Sequence, residues 1–167
     1  LSPEKRVDLL LNAWSRVEPR HRDWSLHIVG EGPLRKQLES QAVLLRRVHF
    51  HGWCDDPSEF YWHAGLFVLS SDYEGFPVSL LEAMSHGVPC LSTRCSDSID
   101  AIAARSPSPV AAAPVGDAEQ LSKQLHRLLG NETARRELSQ AGRSIAQEFT
   151  WQRVGPLWDA ILIEALK

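Results

Sequence analysis

Apolar positions along the chain follow two periods, one typical of buried strands and one typical of amphipathic helices. Short apolar runs predict strands at residues 25–30, 48–53, 66–69, 88–92 and 110–114. Apolar residues at helical spacing predict helices at residues 2–18, 34–45, 57–64 and 77–86. Strands that alternate with helices in this way predict right-handed βαβ units. We therefore expect an α/β fold with a doubly wound parallel sheet.

From residue 117 onward the pattern becomes purely helical. It predicts helices over residues 117–129, over residues 132–149 and from Thr150 to the end. Gly155 and Pro156 lie inside the last segment, where a proline is expected to kink the helix or to delay its start. We expect residues 1–149 to form one Rossmann-like domain and residues 150–167 to form a separate terminal helix.

The composition excludes several classes of protein. The chain has 43% hydrophobic residues, 23% charged residues and a net charge of −3, as soluble globular domains do. It has no basic run, so a nucleic-acid surface is not expected. No apolar stretch approaches the roughly 20 residues that span a bilayer. Cys54, Cys90 and Cys95 have no CxxC spacing, which indicates free thiols and a cytoplasmic location.

The segment after the strand at residues 66–69 carries the clearest chemical signal. The loop after the carboxyl end of a parallel strand is where ligands bind, and a helix that begins there offers N–H groups to an anion. Gly75 allows close approach of a ligand, and Pro77 suits a first helical turn. Glu74 and Glu82 flank this point. A nucleotide sugar, with phosphates at its middle and hydroxyls toward its ends, matches this layout.

Each of these candidates also has a purely structural interpretation. Glu74 could simply stabilise the helix dipole by about 0.3–1 kcal/mol, and Glu82 could be an ordinary solvated residue. Lys5 lies where a helix dipole disfavours positive charge, which indicates an anionic ligand nearby, although solvated surface lysines are common. The turn at Gly30 and Gly32 could approach a ligand through its backbone or only reverse the chain.

No metal, cofactor or nucleophilic centre is expected. The histidines show neither HExxH nor a comparable metal-binding spacing, and no pair of nucleophile and base is visible. His51, at the end of its strand, remains ambiguous. His86 is interpreted as part of a helix C-terminus, which Gly87 is expected to close in the left-handed conformation.

Several residue strings occur in the order found in one enzyme family. They are Ser2-Pro3-Glu4-Lys5, Leu26-His27-Ile28-Val29-Gly30-Glu31-Gly32-Pro33-Leu34, Val48-His49-Phe50-His51-Gly52, Tyr73-Glu74-Gly75-Phe76-Pro77, Leu81-Glu82-Ala83-Met84 and Gly87-Val88-Pro89. The pair Glu74-x7-Glu82 is the most specific of these elements. Over nearly its whole length the chain resembles the C-terminal, donor-binding half of the GT-B glycosyltransferases, in particular the large retaining family 4.

This resemblance implies transfer of a sugar from a nucleotide-diphospho sugar, with retention and without a metal. It implies that Glu74 is the catalytic residue and contacts the hydroxyls of the donor sugar, and that Glu82 holds the ribose hydroxyls. The diphosphate is then expected against the backbone of the helix start, which comprises Gly75, Phe76, Pro77, Val78 and Ser79.

The resemblance also assigns roles outside this helix start. It implies that Lys5 neutralises phosphate, and that the backbone near Phe50 and His51 lies against the base, beside the Gly30 and Gly32 turn. The helix from Thr150 is expected to cross back to an N-terminal domain that holds the acceptor site. By family habit, the whole protein could contact a membrane peripherally.

Two departures from the family pattern are visible. The family usually has an arginine a few residues before the lysine that matches Lys5, and none stands there, so we expect the chain to be part of a longer protein. Residues 94–99 stand where many members carry a Gly-Gly loop. Two other functions stay open: a nucleotide-sugar epimerase with the same two-domain layout, and a non-catalytic α/β interaction module.

Overall fold

The computed structural model describes residues 1–166, in which five strands alternate with helices as the sequence predicts. The strands are β1 Leu26–Val29, β2 Val48–Gly52, β3 Phe67–Leu69, β4 Cys90–Thr93 and β5 Val110–Ala113. The helices are α1 Val7–Val17, α2 Arg35–Ala42, α3 Ser58–His63, α4 Val78–Ser85, α5 Asp97–Ala103, α6 Ala118–Leu129, α7 Glu132–Ala146 and α8 Trp151–Ala165. Within the described residues, no helix is both long and apolar enough to cross a membrane.

All strand pairs are parallel, which confirms the predicted Rossmann-like α/β class, but the strands form two sheets instead of one. β1 pairs with β2 in the first sheet, and the second has the order β3-β4-β5. β4 is buried along its whole length because it has a partner on each side and helices on both faces. The carboxyl ends of the strands lie at the same edge of each sheet, where ligands of such folds bind.

Helices cover the two faces of this layer with apolar side chains. On one face, α1 and α6 pack together over β4 and β5, with Trp14, Leu91 and Leu125 among the buried residues. On the other face, α4 and α7 contribute Leu80 and Ile145 to a second cluster. This arrangement fixes the start of α4 at the carboxyl end of β3.

The helix predicted over residues 2–18 is wrong in one respect, because the chain breaks at Arg6. Pro3–Lys5 forms a short 3₁₀-helix, Arg6 adopts the left-handed conformation at φ 46°, and α1 begins at Val7. Lys5 therefore ends one helix instead of starting another. Its charge still lies two residues before the start of α1, where a helix dipole disfavours positive charge.

Two further differences concern helices near the carboxyl end. The sequence did not predict α5, which begins directly after Ser96, whose hydroxyl accepts a hydrogen bond from the Ile99 amide. Gly155 and Pro156 neither delay nor interrupt α8, which runs from Trp151 to Ala165. α5 has only seven residues, so its apolar spacing covers just two turns and gives a weak helical pattern.

Candidate functional site

The candidate site lies at the carboxyl end of β3, where the loop of residues 70–77 leads into α4. Pro77 is the N-cap of α4, one position before the first turn expected for it. At the other end, Gly87 at φ 76° closes the helix as predicted. The Gly87 amide donates to Met84 and the Val88 amide donates to Ala83, which together form a Schellman motif. Both ends of α4 are thus fixed by backbone geometry.

The Glu74 side chain is held in place by hydrogen bonds from two other side chains. Its Oε1 accepts hydrogen bonds from Ser71 Oγ at 2.6 Å and from Lys5 Nζ at 2.8 Å, and its side chain is 12% exposed. The Ser71 carbonyl accepts from Thr93 Oγ1, and the Glu74 amide donates to the Cys95 carbonyl. These contacts anchor Glu74 to the loop after β4 as well as to its own loop.

Lys5 reaches Glu74 because the start of the chain is docked on the same loop. The Asp72 amide donates to the Glu4 carbonyl at 2.8 Å, and Ser70 Oγ donates to the Lys5 carbonyl at 2.8 Å. Since the backbone is held at both points, the Lys5 ammonium can change partners while its main chain stays in place. The sequence brings Lys5 and Glu74 together only through this fold, because they are 69 residues apart.

Arg6 forms a second charged link between the same two segments. Its guanidinium contacts Asp8 on α1 and Asp72 in the loop after β3, both within hydrogen-bond distance. These two carboxylates raise the pKa of Arg6 above its usual range, and Asp8 makes the larger contribution. Arg6 is therefore a cation paired with two carboxylates, whereas Lys5, which is 45% exposed, pairs with Glu74 alone among residues 1–166.

The backbone at the start of α4 only partly matches the expectation. Within residues 1–166, the amides of Gly75, Phe76 and Ser79 have no hydrogen-bond acceptor. The Val78 amide instead donates to the Phe76 carbonyl at 2.9 Å. A Cβ added at Gly75 would meet no atom within 4 Å, so the side-chain side of this residue is open. Three amides, and not Val78, can therefore face an anion.

Glu82 lies on the second turn of α4 and has a contact that the sequence did not predict. Tyr61 Oη, on α3, donates to Glu82 Oε2 at 3.2 Å. Burial, with the Glu82 charge as a further cause, raises the pKa of Tyr61 above its usual range, so the phenol remains a donor. Glu82 thus accepts one hydrogen bond but remains an exposed residue, and it does not line the depression that contains Glu74.

Among the predicted base contacts, Phe50 and His51 point to opposite faces of β2. The Phe50 side chain packs with Ile28 and Leu38 in the core below β1 and β2. The exposed His51 ring stacks on His27, with centroids 5.0 Å apart. Only the backbone of this pair, together with exposed His51, is available to a ligand.

The two glycines of the predicted turn after β1 also differ in the space around them. A Cβ added at Gly30 would meet no atom within 4 Å, so this position leaves room for a ligand. A Cβ at Gly32 would collide with the backbone of Leu1. The close approach at Gly32 is therefore made by Leu1 of the chain itself, a contact that the sequence did not predict.

Several site features were beyond sequence reasoning. Ser71 is fully buried beneath Glu74, and the only signal for it is a polar residue at the end of an apolar run. The Phe76 ring is nearly half exposed and packs against Phe149, just before α8, with centroids 5.6 Å apart. Arg94 contacts Asp100 at 2.7 Å across the segment that replaces the Gly-Gly loop. This segment and Glu74 line one shallow depression.

Comparison with known proteins identifies the family. A sequence profile described as Glycosyl transferases group 1 matches residues 1–131. The chain belongs to the glycosyl transferases group 1 family. One relative, an uncharacterized glycosyltransferase of Haemophilus influenzae, is 26% identical over 161 residues, which are 95% of this chain and 45% of that protein.

Solved structures place this member of the glycosyl transferases group 1 family in the GT-B fold. WaaG, a glycosyltransferase involved in lipopolysaccharide biosynthesis, is 27% identical and superposes with a TM-score of 0.77 over 96% of this chain and 44% of its own. Anabaena HepE, solved in complex with UDP, is 20% identical with a TM-score of 0.87 over 98% of this chain and 46% of its own. The chain thus spans less than half the length of these relatives.

Proposed function

We propose that the chain is the donor-binding half of a retaining glycosyltransferase that uses a nucleotide-diphospho sugar without a metal. The observation that carries this proposal is the position of Glu74. Its carboxylate is held by Ser71 and Lys5 beside the start of α4, where three amides have no acceptor within residues 1–166. Membership of the glycosyl transferases group 1 family supports sugar transfer as the reaction. HepE, a structural neighbour, was solved with UDP, which supports a nucleotide as the ligand.

Lys5 and the start of α4 would hold the diphosphate. The amides of Gly75, Phe76 and Ser79 have no acceptor within residues 1–166, and the positive end of the α4 dipole points the same way. Lys5 would exchange part of its contact with Glu74 for a phosphate oxygen. Donors fixed in this way stabilise the charge that develops on the leaving diphosphate. A lysine and a helix start can do this without a metal.

Glu74 and Glu82 would fix the two ends of the donor. Glu74, still held by Ser71, would accept hydrogen bonds from the hydroxyls of the sugar. Glu82, restrained by Tyr61, would accept those of the ribose. During transfer, the bond from the anomeric carbon to the diphosphate oxygen breaks and its electron pair leaves with the diphosphate. The acceptor oxygen bonds to the same face of that carbon, and the acceptor's proton ends on the diphosphate.

α8 would contact the acceptor-binding domain that this chain does not include. Leu157, Trp158, Ile161 and Leu162 on this helix are each more than half exposed. Such a contiguous apolar surface is typical of a protein–protein contact. Because α8 follows directly after Phe149, which packs on Phe76, closure of the two domains would act on the donor site.

The test is a kinetic comparison of two variants in the full-length enzyme. Glu74→Ala is expected to lower kcat by about 10- to 100-fold with little change in donor affinity, because a hydrogen bond to a charged group is worth about 1.5–3 kcal/mol. Glu82→Ala is expected to raise the Kd for the nucleoside diphosphate by a similar factor. Glu137→Ala, an exposed position on α7, is the matched control.

Unchanged kinetics in both variants would refute the assignment. The Kd for the nucleoside diphosphate is measured by calorimetry with a metal chelator present. This measurement also distinguishes a glycosyltransferase from the interaction module and the epimerase. An interaction module would bind no nucleoside diphosphate. An epimerase would bind it but would convert the free nucleotide sugar with no acceptor present.

A further inference from the structure

The rings of Phe76 and Phe149 form a contact that joins the start of α4 to the end of α7. Their centroids are 5.6 Å apart and their planes are tilted by 53°, at a distance within the range of favourable aromatic pairs. The two residues are 47% and 41% exposed, and neither belongs to a buried apolar cluster of the described residues. The pair therefore adds little to the core, and its position beside the candidate site calls for another explanation.

The register of α7 against α4 places the two rings together. Ser139 Oγ donates to the Gly87 carbonyl at 2.6 Å, and a Cβ added at Gly142 would lie 3.1 Å from Met84 Cγ. Three residues forward along α7 thus match three residues backward along α4, so the two helices run antiparallel. Seven residues further along the chain, Phe149 consequently lies opposite the start of α4.

The backbone that carries Phe149 is fixed by its own neighbours. A 3₁₀ turn, Gln147–Phe149, continues α7, and Ile145, just before this turn, is buried with residues of α4 in the second apolar cluster. Glu148 accepts two hydrogen bonds from Arg105, at 3.0 and 2.9 Å. Such a two-pronged pair restrains orientation as well as distance. The position of Phe149 is therefore set independently of Phe76.

Phe76, in contrast, lies between a permissive and a rigid position of the loop. Gly75 precedes it and has the backbone freedom of glycine. Pro77 follows at φ −81° and ψ 70°, an inverse γ-turn in which the Val78 amide donates to the Phe76 carbonyl. This turn sets the carbonyl side of Phe76 but leaves rotation at Gly75 open. The ring contact with Phe149 restrains that rotation, and with it the direction of the Phe76 amide.

We propose that Phe149 is a positioning residue of the donor site. Its ring holds Phe76 so that the amides at the start of α4 point toward the diphosphate, although Phe149 itself does not touch the ligand. Loss of the ring would weaken binding of the diphosphate and leave the contacts to the base and the ribose in place. This inference rests on the proposed function, because it takes the start of α4 as the seat of the diphosphate.

The test is a set of binding measurements on the full-length protein. Calorimetry with UDP, GDP, ADP, CDP and dTDP first selects the nucleoside diphosphate that binds most tightly. Phe149→Ala is expected to raise its Kd about three- to tenfold, the range that corresponds to the contribution of an aromatic pair. The Kd of the matching nucleoside, which carries no phosphate, should change less than twofold in NMR titrations. An equal rise in both Kd values would indicate general damage and would overturn the proposal.

Two further variants check that the ring itself is responsible. Phe149→Tyr keeps the ring and should bind the diphosphate within twofold of the wild type. Gln147→Ala is the matched control, because it changes an exposed side chain of the same turn, and it should also bind within twofold. If Phe149→Ala does not fold, Phe149→Leu removes the ring with less loss of volume, and it should also raise the Kd of the diphosphate.

A double-mutant cycle tests whether Phe149 acts through Phe76. Residues that act through one contact are not additive, so Phe149→Ala should change the Kd less than twofold once Phe76 is alanine. Additive losses would overturn the proposal, because Phe149 would then act by another route. An unchanged Kd in Phe149→Ala would overturn this inference and leave the proposed function standing. A wild type that binds none of the five nucleotides would refute the proposed function, and this inference with it.

Discussion

Replacing Ser71 with alanine tests whether Glu74 must be held in one orientation. Ser71 is fully buried, and its hydroxyl donates to Glu74 Oε1 at 2.6 Å. Alanine keeps the volume of the site nearly unchanged and removes only this hydroxyl. Glu74 would keep its contact with Lys5, but in the donor complex Lys5 is proposed to turn toward phosphate. The carboxylate would then lose its last fixed partner during catalysis.

The contact geometry sets the size of the expected effect. A hydrogen bond between a neutral donor and a carboxylate is worth about 1.5–3 kcal/mol, and about 1.4 kcal/mol corresponds to a tenfold change in rate. Glu74 is 12% exposed, so water can replace only part of the lost contact. We therefore expect kcat of Ser71→Ala to fall by about tenfold or more, with the KM for the donor changed less than threefold.

The assay is steady-state kinetics of the full-length enzyme, with thermal unfolding measured in parallel. Ser122→Ala is the matched control, because Ser122 is also buried and also makes one hydrogen bond, to the Glu119 carbonyl in α6. Ser71→Ala should lose about 1.5–3 kcal/mol of stability and Ser122→Ala about 1 kcal/mol, while only Ser71→Ala loses turnover. Equal kcat values in the two variants would refute the positioning role of Ser71.

Three further predictions concern α4 and the stability of the fold. Tyr61→Phe should raise the Kd for a nucleoside diphosphate about fivefold, because Glu82 loses a neutral hydrogen bond of about 1 kcal/mol; calorimetry that shows unchanged affinity would contradict this. Burial, with His126 and Arg20 as further causes, lowers the pKa of His21. The free energy of unfolding should therefore keep the full contribution of neutral His21 above about pH 6.5 and lose it as the pH falls toward the lowered pKa. His21→Gln should flatten this dependence in urea midpoints, and an equally steep curve would oppose it. Gly87→Ala should cost about 1–2 kcal/mol in urea unfolding, because its φ is 76°; wild-type stability would argue against that strain.

The order of the strands and of every helix except α5 was predictable because each of these elements carries its own period. The apolar run before Leu69 and the helical spacing after Pro77 place the loop between them at the carboxyl edge of a parallel sheet, whatever the rest of the chain does. For the same reason the sequence places Glu74 in this loop and makes it a candidate site residue. Gly87 could be predicted as a helix end, because the left-handed conformation favours glycine.

The structural features that the sequence did not predict depend on the three-dimensional arrangement of the backbone and its neighbours. The break at Arg6 coincides with ion pairs to Asp8 and Asp72, and an apolar pattern contains no information on such pairs. The Val78 amide is engaged by the carbonyl of Phe76, a local turn that a generic helix start does not imply. The division into two sheets is a property of strand partners, which periodicity along one chain does not specify.

The most direct test of the proposed function is a crystal structure of the full-length protein with its nucleotide-diphospho sugar bound. We expect phosphate oxygens within hydrogen-bond distance of the Ser79 amide and of Lys5 Nζ. We also expect sugar hydroxyls on Glu74, with Ser71 Oγ still donating to that carboxylate, and ribose hydroxyls on Glu82. A diphosphate bound away from the start of α4, or a sugar that does not touch Glu74, would contradict the central claim.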